Sequence, residues 1–191
     1  MTKSRLEAFS DGVIAIIMTV MVLELKVPHG TDLAALAAVS PQFLTYLLSF
    51  VFIAIYWNNH HHLLHATERV NGVILWANMH LLFWLSLVPF VTAWMGENGS
   101  VPLPTAIYGV VLLMAAIAFT ILVNAILALQ GKNSVLGRAV GRDYKGKVSL
   151  VIYIAAIPLA FVHQTVAHVL FVVVALIWLA PDPRIESQIS K

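Results

Sequence analysis

The chain is predicted to be an all-α membrane protein with six transmembrane helices, and three observations point there. Of its 191 residues, 60% are hydrophobic and 10% charged, with a mean hydropathy of +0.89. That leaves too little polar surface for a water-soluble domain of this length. The apolar residues gather into runs of about 20, the length a hydrocarbon core asks of a helix. Basic residues lie almost entirely on one side of those runs, the asymmetry that orients membrane helices.

The runs fall near residues 7–27, 41–64, 72–95, 103–130, 147–162 and 164–180. Turn chemistry separates them: KVPHGTD after the first, ATERVNG after the second and GENGSVPLP after the third. The polar stretch QGKNSVLGRAVGRDYKGK follows the fourth. Ser40-Pro41 reads as a helix start, with a capping hydroxyl followed by a proline that forfeits no needed N–H. The division between the fifth and sixth runs is placed around His163-Gln164. With the N-terminus inside, ten of the eleven Lys and Arg residues face the cytoplasm and only Lys26 lies outside. Both termini are therefore expected in the cytoplasm. The two halves show no internal repeat, so residues 1–191 read as one integral membrane domain. The first run is longer than the apolar core of a signal peptide and lacks a small-residue cleavage site, so it reads as a span. There is no cysteine, hence no disulfide or thiolate metal site, and a net charge of +2 gives no case for nucleic acid.

Polar chemistry concentrates in the first run. Asp11 stands one to two turns in from its cytoplasmic end, with Ser10 beside it and Thr19 and Glu24 beyond. An intramembrane carboxylate is costly and is a functional candidate by default; it can also serve as a helix cap or pair with Arg5 at the interface. Ile16, Thr19, Val20 and Leu23 follow the i, i+3, i+4, i+7 pattern of a single helical stripe, which Gly12 continues toward the cytoplasm. Periodicity alone reads the stripe equally as a packing seam, a lipid face or a pore wall. The Thr19 hydroxyl is expected to bond the Ala15 carbonyl. Glu24 reads as an outer-mouth charge or an ordinary interfacial acid.

The string Arg5-x-x-x-Phe9-Ser10-Asp11-Gly12-Val13-x-Ala15-Ile16-x-x-Thr19-x-x-x-Leu23-Glu24 resembles the first-helix signature of the endolysosomal potassium-channel family, the transmembrane protein 175 type. Trp57 with His60 and His61 in the second run matches as well, as does Asn78 with Leu85, Pro89 and Phe90 in the third. Beyond about Glu97 only span number and hydropathy agree. The chain is most similar to the prokaryotic members, which carry one six-helix repeat. The resemblance implies a homotetramer in the plasma membrane, passing potassium ions through a central pore lined by the first helices. It places Ile16 at a hydrophobic constriction, Thr19 in a hydroxyl layer one turn outward, and Val20 and Leu23 along the same wall. It gives Arg5, Phe9, Ser10, Asp11, Trp57, His60, His61 and Asn78 structural roles, and it implies no cofactor.

No TVGYG filter or near variant occurs. A ring of Ile16 side chains offers no ligand oxygen, so selection would rest on dehydration at a hydrophobic gate. Potassium holds its water less tightly than sodium, and Thr19 hydroxyls could replace part of the lost shell. The expected outcome is a modest preference for potassium. Antiparallel packing of the first two helices would bring the YWNNHHHLLH end of the second to the depth of Asp11. There Asp11 could accept from His60, His61, Trp57 or Arg5, while Ser10 joins Asn78.

His61 and His65 share the i, i+4 spacing of metal or haem ligands, though H-E-x-x-H is absent. The cluster also reads as a pH-responsive rim or as interfacial histidines bonded to carbonyls. His80 reads as a hydrogen-bonded core histidine. A proton-coupled secondary transporter using Asp11 and the His60–His65 cluster is the alternative to a channel. It would call for related halves and broken helices, with Pro89 and Pro158 as candidate breaks. A haem or metal oxidoreductase would need paired axial histidines such as His61 and His80. No motif of hydrolytic or phosphoryl-transfer chemistry is present.

Overall fold

The computed structural model describes residues 2–98, 101–131, 134, 137 and 144–179. The polar connector after the fourth run and the basic residues Lys132, Arg138, Arg142, Arg184 and Lys191 lie largely outside them. The described residues form helices and connecting turns: α1 (Lys3–Leu23), α2 (Leu33–Ala38), α3 (Ser40–His65), α4 (Gly72–Ser86), α5 (Val88–Glu97), α6 (Pro102–Gln130), α7 (Tyr144–Val162) and α8 (Gln164–Leu179). Five stretches are long and apolar enough to cross a membrane: α1, α3, α4 with α5, α6 and α7. The shorter α8 is also apolar, apart from Gln164, Thr165 and His168.

The helix ends follow local chemistry. Asn71 accepts from the Ile74 amide at 3.0 Å and starts α4, and Asp32 does the same for α2 through Ala35 at 2.8 Å. Ser40 is not the cap expected of it: it already lies within α3, and Val39 precedes it without a side-chain cap. The first helix starts at Lys3 and ends at Leu23, about one turn nearer the N-terminus than hydropathy suggests. Its charged first turn packs on α3 instead of trailing into solvent, and the Val-Pro-His-Gly segment ends it early. The third run breaks at Leu87, because Pro89 has no N–H to return to the Leu85 carbonyl. Helix α7, in contrast, continues through Pro158. The chain turns at His163, and Trp178 of α8 reaches back to Ser149 of α7 at 2.9 Å, so these two helices form an antiparallel hairpin. Gly131, at φ 86°, closes α6 in a conformation that side chains resist.

Helices α4, α5 and α6 occupy the centre, with Leu81, Leu85, Val88, Leu112, Ala115 and Leu122 all buried. The α7–α8 hairpin packs on α6, while α1 packs on α3, α4 and α5, leaving α1 on a flank of the protomer. Lipid tails are as apolar as leucine, so burial against neighbours drives little association; close packing and interhelical hydrogen bonds set the arrangement. A buried hydroxyl cluster does this for α3, α5 and α6. Thr92 donates to Ser49 at 2.7 Å, and Ser49 lies 3.0 Å from the Tyr108 hydroxyl.

Close approach does the rest. A Cβ on Gly96 of α5 would stand 3.1 Å from the Gln42 Cα of α3. Backbone cannot yield as a side-chain tip can, so Gly96→Val is expected to cost about 1–3 kcal/mol by forcing the helices apart. A thermal unfolding midpoint unchanged from wild type would show that this contact is not tight.

Candidate functional site

Helix α1 has two unlike faces. Leu6, Ser10, Ile14, Ile17 and Met21 recur every three or four residues and are buried against the protomer. On the other face Gly12, Ile16, Thr19, Val20 and Leu23 are all exposed, Ile16 at 62% and Leu23 at 79%. A Cβ on Gly12 would meet nothing within 4 Å. Among the described residues no other helix covers this stripe. The Thr19 hydroxyl donates to the Ile16 carbonyl at 2.9 Å, one residue on from the expected Ala15. Its oxygen keeps free acceptor capacity on the exposed side. Glu24 is exposed just past the helix end, where Lys26 pairs with Glu97 at 2.9 Å.

A directed hydrogen-bond chain fixes the buried face. His60 Nε2 stands 2.7 Å from Asn78 Oδ1, Asn78 Nδ2 donates to Ser10 Oγ at 2.9 Å, and Ser10 Oγ donates to the Leu6 carbonyl at 2.9 Å. The Asn78 amide group gives its hydrogen to Ser10, so its oxygen faces His60 and His60 Nε2 carries the proton. All three side chains are essentially inaccessible, at 0–1% exposure. One chain therefore links α3, α4 and α1, and Asn78 is its only member bonded to both neighbouring helices.

Beside it runs a more exposed ladder. Lys3 Nζ donates to the His65 carbonyl at 2.7 Å, Glu7 Oε1 lies 3.5 Å from His61 Nδ1, and Trp57 Nε1 donates to Asp11 Oδ1 at 3.1 Å. Positions 3, 7 and 11 of α1 thus meet 65, 61 and 57 of α3, one rung per turn of two antiparallel helices. The Lys3 ammonium also sits where α3 leaves carbonyls unpaired at its C-terminus. Asp11 accepts from Trp57 and not from His60, His61 or Arg5: His60 is engaged by Asn78, His61 lies beside Glu7, and Arg5 is exposed. Phe9 is exposed at the same level.

Lys3 and Glu7 are the residues that sequence reading missed. Their signal was the shared four-residue period of polar side chains at 3, 7, 11 and 57, 61, 65. The His61 and His65 rings stack at 6.2 Å instead of opening a common site, and the described residues contain no group of three or more ligating side chains arranged for a metal. Half-buried His80 accepts from Trp84 Nε1 at 2.9 Å, the hydrogen-bonded situation expected of it.

Comparison with known proteins bears on this geometry. The family model described as endosomal/lysosomal potassium channel TMEM175 matches residues 5–89, the segment that holds the α1 stripe, the Glu7 and Asp11 rungs of the ladder and Asn78. A Chryseobacterium protein named as a potassium channel is 51% identical over 191 residues, all of both chains. Another so named, from Streptomyces collinus, is 36% identical over 125 residues, 61% of each chain. The crystal structure of a lysosomal potassium-selective channel TMEM175 homolog from Chamaesiphon minutus superposes with a TM-score of 0.81. It is 27% identical and covers 93% of this chain and 96% of its own. The apolar helices and the bacterial relatives make the chain an integral, multi-pass membrane protein of the plasma membrane. A relative matched end to end, together with a family model seated on the α1–α3–α4 clasp, leaves one assignment: the chain belongs to the TMEM175 family of potassium channels.

Proposed function

We propose that the chain is the subunit of a potassium-selective channel whose pore is lined by α1 of each copy, with six membrane crossings and both termini cytoplasmic. In this reading residues 1–191 form a single channel domain and four subunits surround the axis. The observation that carries it is the division of α1 into two faces: a clasped inner face, and an outer stripe that no helix among the described residues covers. A helix facing only lipid would not need its rotation fixed by two rows of polar contacts, since lipid tolerates any apolar face. A pore helix would, because a turn about its axis replaces the wall.

Ile16 would form the narrow ring. It carries no oxygen, so an ion crossing it sheds water without replacement, which disfavours sodium more than potassium. Thr19, about one turn on at ~1.5 Å per residue, would offer hydroxyl oxygen to the partly stripped ion. The carboxylate and histidine that a proton-coupled transporter would need are instead held by Trp57 and Asn78.

Planar-bilayer recording with potassium on one side and sodium on the other tests this reading. Unitary steps with a reversal potential favouring potassium are expected; a reversal favouring sodium, or transport without unitary steps, would sink it. Thr19→Val keeps the shape and removes the oxygen. It is expected to lower the potassium-to-sodium permeability ratio about two- to fivefold, the worth of roughly half to one hydrogen bond. An unchanged ratio would place Thr19 off the ion path.

A further inference from the structure

We propose that α2 is a membrane-interface helix, docking its two leucines among the glycerol and upper acyl groups of zwitterionic phospholipid on the side where α1 ends. The inference stands apart from the pore reading. All six residues of α2, LAALAA, are apolar, yet none is buried. Leu33 is 83% exposed and Leu36 58%, and only Ala35 is half-buried. Asp32 caps the helix through the Ala35 amide. Six residues are nevertheless too few to keep helical form in water without a buried face. Among the described residues nothing covers the leucines, so their cover comes from outside the protomer.

The length of the neighbouring span says what that cover is. Helix α3 runs 26 residues, or ~39 Å at ~1.5 Å per residue. A bilayer measures about 30 Å across its hydrocarbon core and about 40–45 Å with its headgroup layers. Centred in the bilayer, α3 therefore starts within a headgroup layer at Ser40, and tilt only draws that start nearer the core. Helix α2 ends at Ala38, and the Phe43 amide already bonds the Val39 carbonyl, so no linker lifts α2 away. The exposed Phe43, Leu44 and Leu47 continue the same apolar surface along α3 into the core. At that depth an extended segment would leave amides unpaired, whereas a helix pairs its own. Charge plays little part. Lys26 is the only Lys or Arg between α1 and α3, and it pairs with Glu97 at 2.9 Å. An anionic headgroup finds no free ammonium or guanidinium there, so apolar burial makes the contact.

The chain has no cysteine, so Leu33→Cys and Leu36→Cys each accept a single nitroxide label. Both positions are exposed, so the labels leave packing alone. The full chain is read by electron paramagnetic resonance in phosphatidylcholine nanodiscs, with dissolved oxygen and a water-soluble nickel(II) chelate as relaxants. Oxygen relaxation is expected to exceed nickel relaxation about threefold at the roughly 5–10 Å depth of an interfacial helix. Nickel relaxation equal to or above that of oxygen would place α2 in water. Protection from both relaxants would place it against a second copy, and either result overturns the proposal. Exchanging part of the lipid for phosphatidylglycerol is expected to leave the oxygen-to-nickel ratio unchanged. A ratio that rises several-fold would show that charge holds α2 and would overturn the assignment to apolar contact.

Discussion

Replacing Ile16 by asparagine is expected to raise unitary potassium current about two- to tenfold and to bring the potassium-to-sodium permeability ratio toward unity. Isoleucine presents only methyl and methylene groups from its 62%-exposed position. A narrow ring of such groups leaves water without partners and empties of it. Asparagine supplies a carbonyl and an amide group from each copy, so water and partly hydrated ions find bonds where there were none. One added bond at the top of the barrier is worth about 0.5–1.5 kcal/mol net, and that range sets the expected current. Discrimination falls for the same reason: a wetted ring no longer demands dehydration, so sodium loses its handicap. The substitution should leave folding alone, because the Ile16 side chain is exposed and the buried Ile14 and Ile17 carry the packing on the opposite face. Single-channel recording beside wild type checks both effects. Current and ratio equal to wild type would mean that the α1 stripe faces lipid or a neighbouring helix.

The parts of this picture that sequence made legible are those set by period and polarity. Apolar runs of fixed length mark the spans, because a hydrocarbon core imposes length. The turn at His163 is marked by the polar pair His163-Gln164 in an otherwise greasy stretch. Joining Ser10 to Asn78 needs only that both lie at one depth on helices long enough to share it. What stayed hidden depends on absolute rotation about a helix axis. His60 and His61 are neighbours in the chain yet stand about 100° apart on α3. One turns inward to Asn78 and the other toward Glu7. No spacing rule decides which does which, so Asp11 was offered several partners and keeps Trp57. The shift of Thr19 from the Ala15 to the Ile16 carbonyl is the same kind of detail, one residue of hydrogen-bond choice at fixed periodicity. The Ser49–Thr92–Tyr108 cluster escaped for a different reason. Each hydroxyl looks ordinary alone, and only the rule that polar groups in lipid must find partners would have sent a reader looking for the set.

Rotation is also why Asn78, and not Asp11, is expected to be the residue whose loss damages the protein most. Asn78→Ala removes both central bonds of the buried chain and leaves His60 without a partner at Nε2, where Nδ1 already has none among the described residues. Interhelical hydrogen bonds in membranes are worth about 0.6–2 kcal/mol each, and an orphaned buried ring nitrogen adds its own penalty. A loss of about 2–4 kcal/mol is expected, enough to take a marginally stable protein into aggregation. Asp11→Ala breaks one bond to a Trp57 that is 43% exposed, where water or lipid headgroups can substitute, so about 1 kcal/mol or less is expected. Thermal unfolding monitored by size exclusion in detergent ranks the two: the Asn78 variant should lose its monodisperse peak at a clearly lower temperature. Channels that do assemble from Asp11→Ala should keep the wild-type reversal potential, since the exposed stripe of α1 is unaltered. If Asp11→Ala proved the more damaging, the anchoring of α1 would rest on the half-exposed ladder and not on the buried chain through α4. The rotation of its outer stripe would then be set near the membrane surface instead of within it.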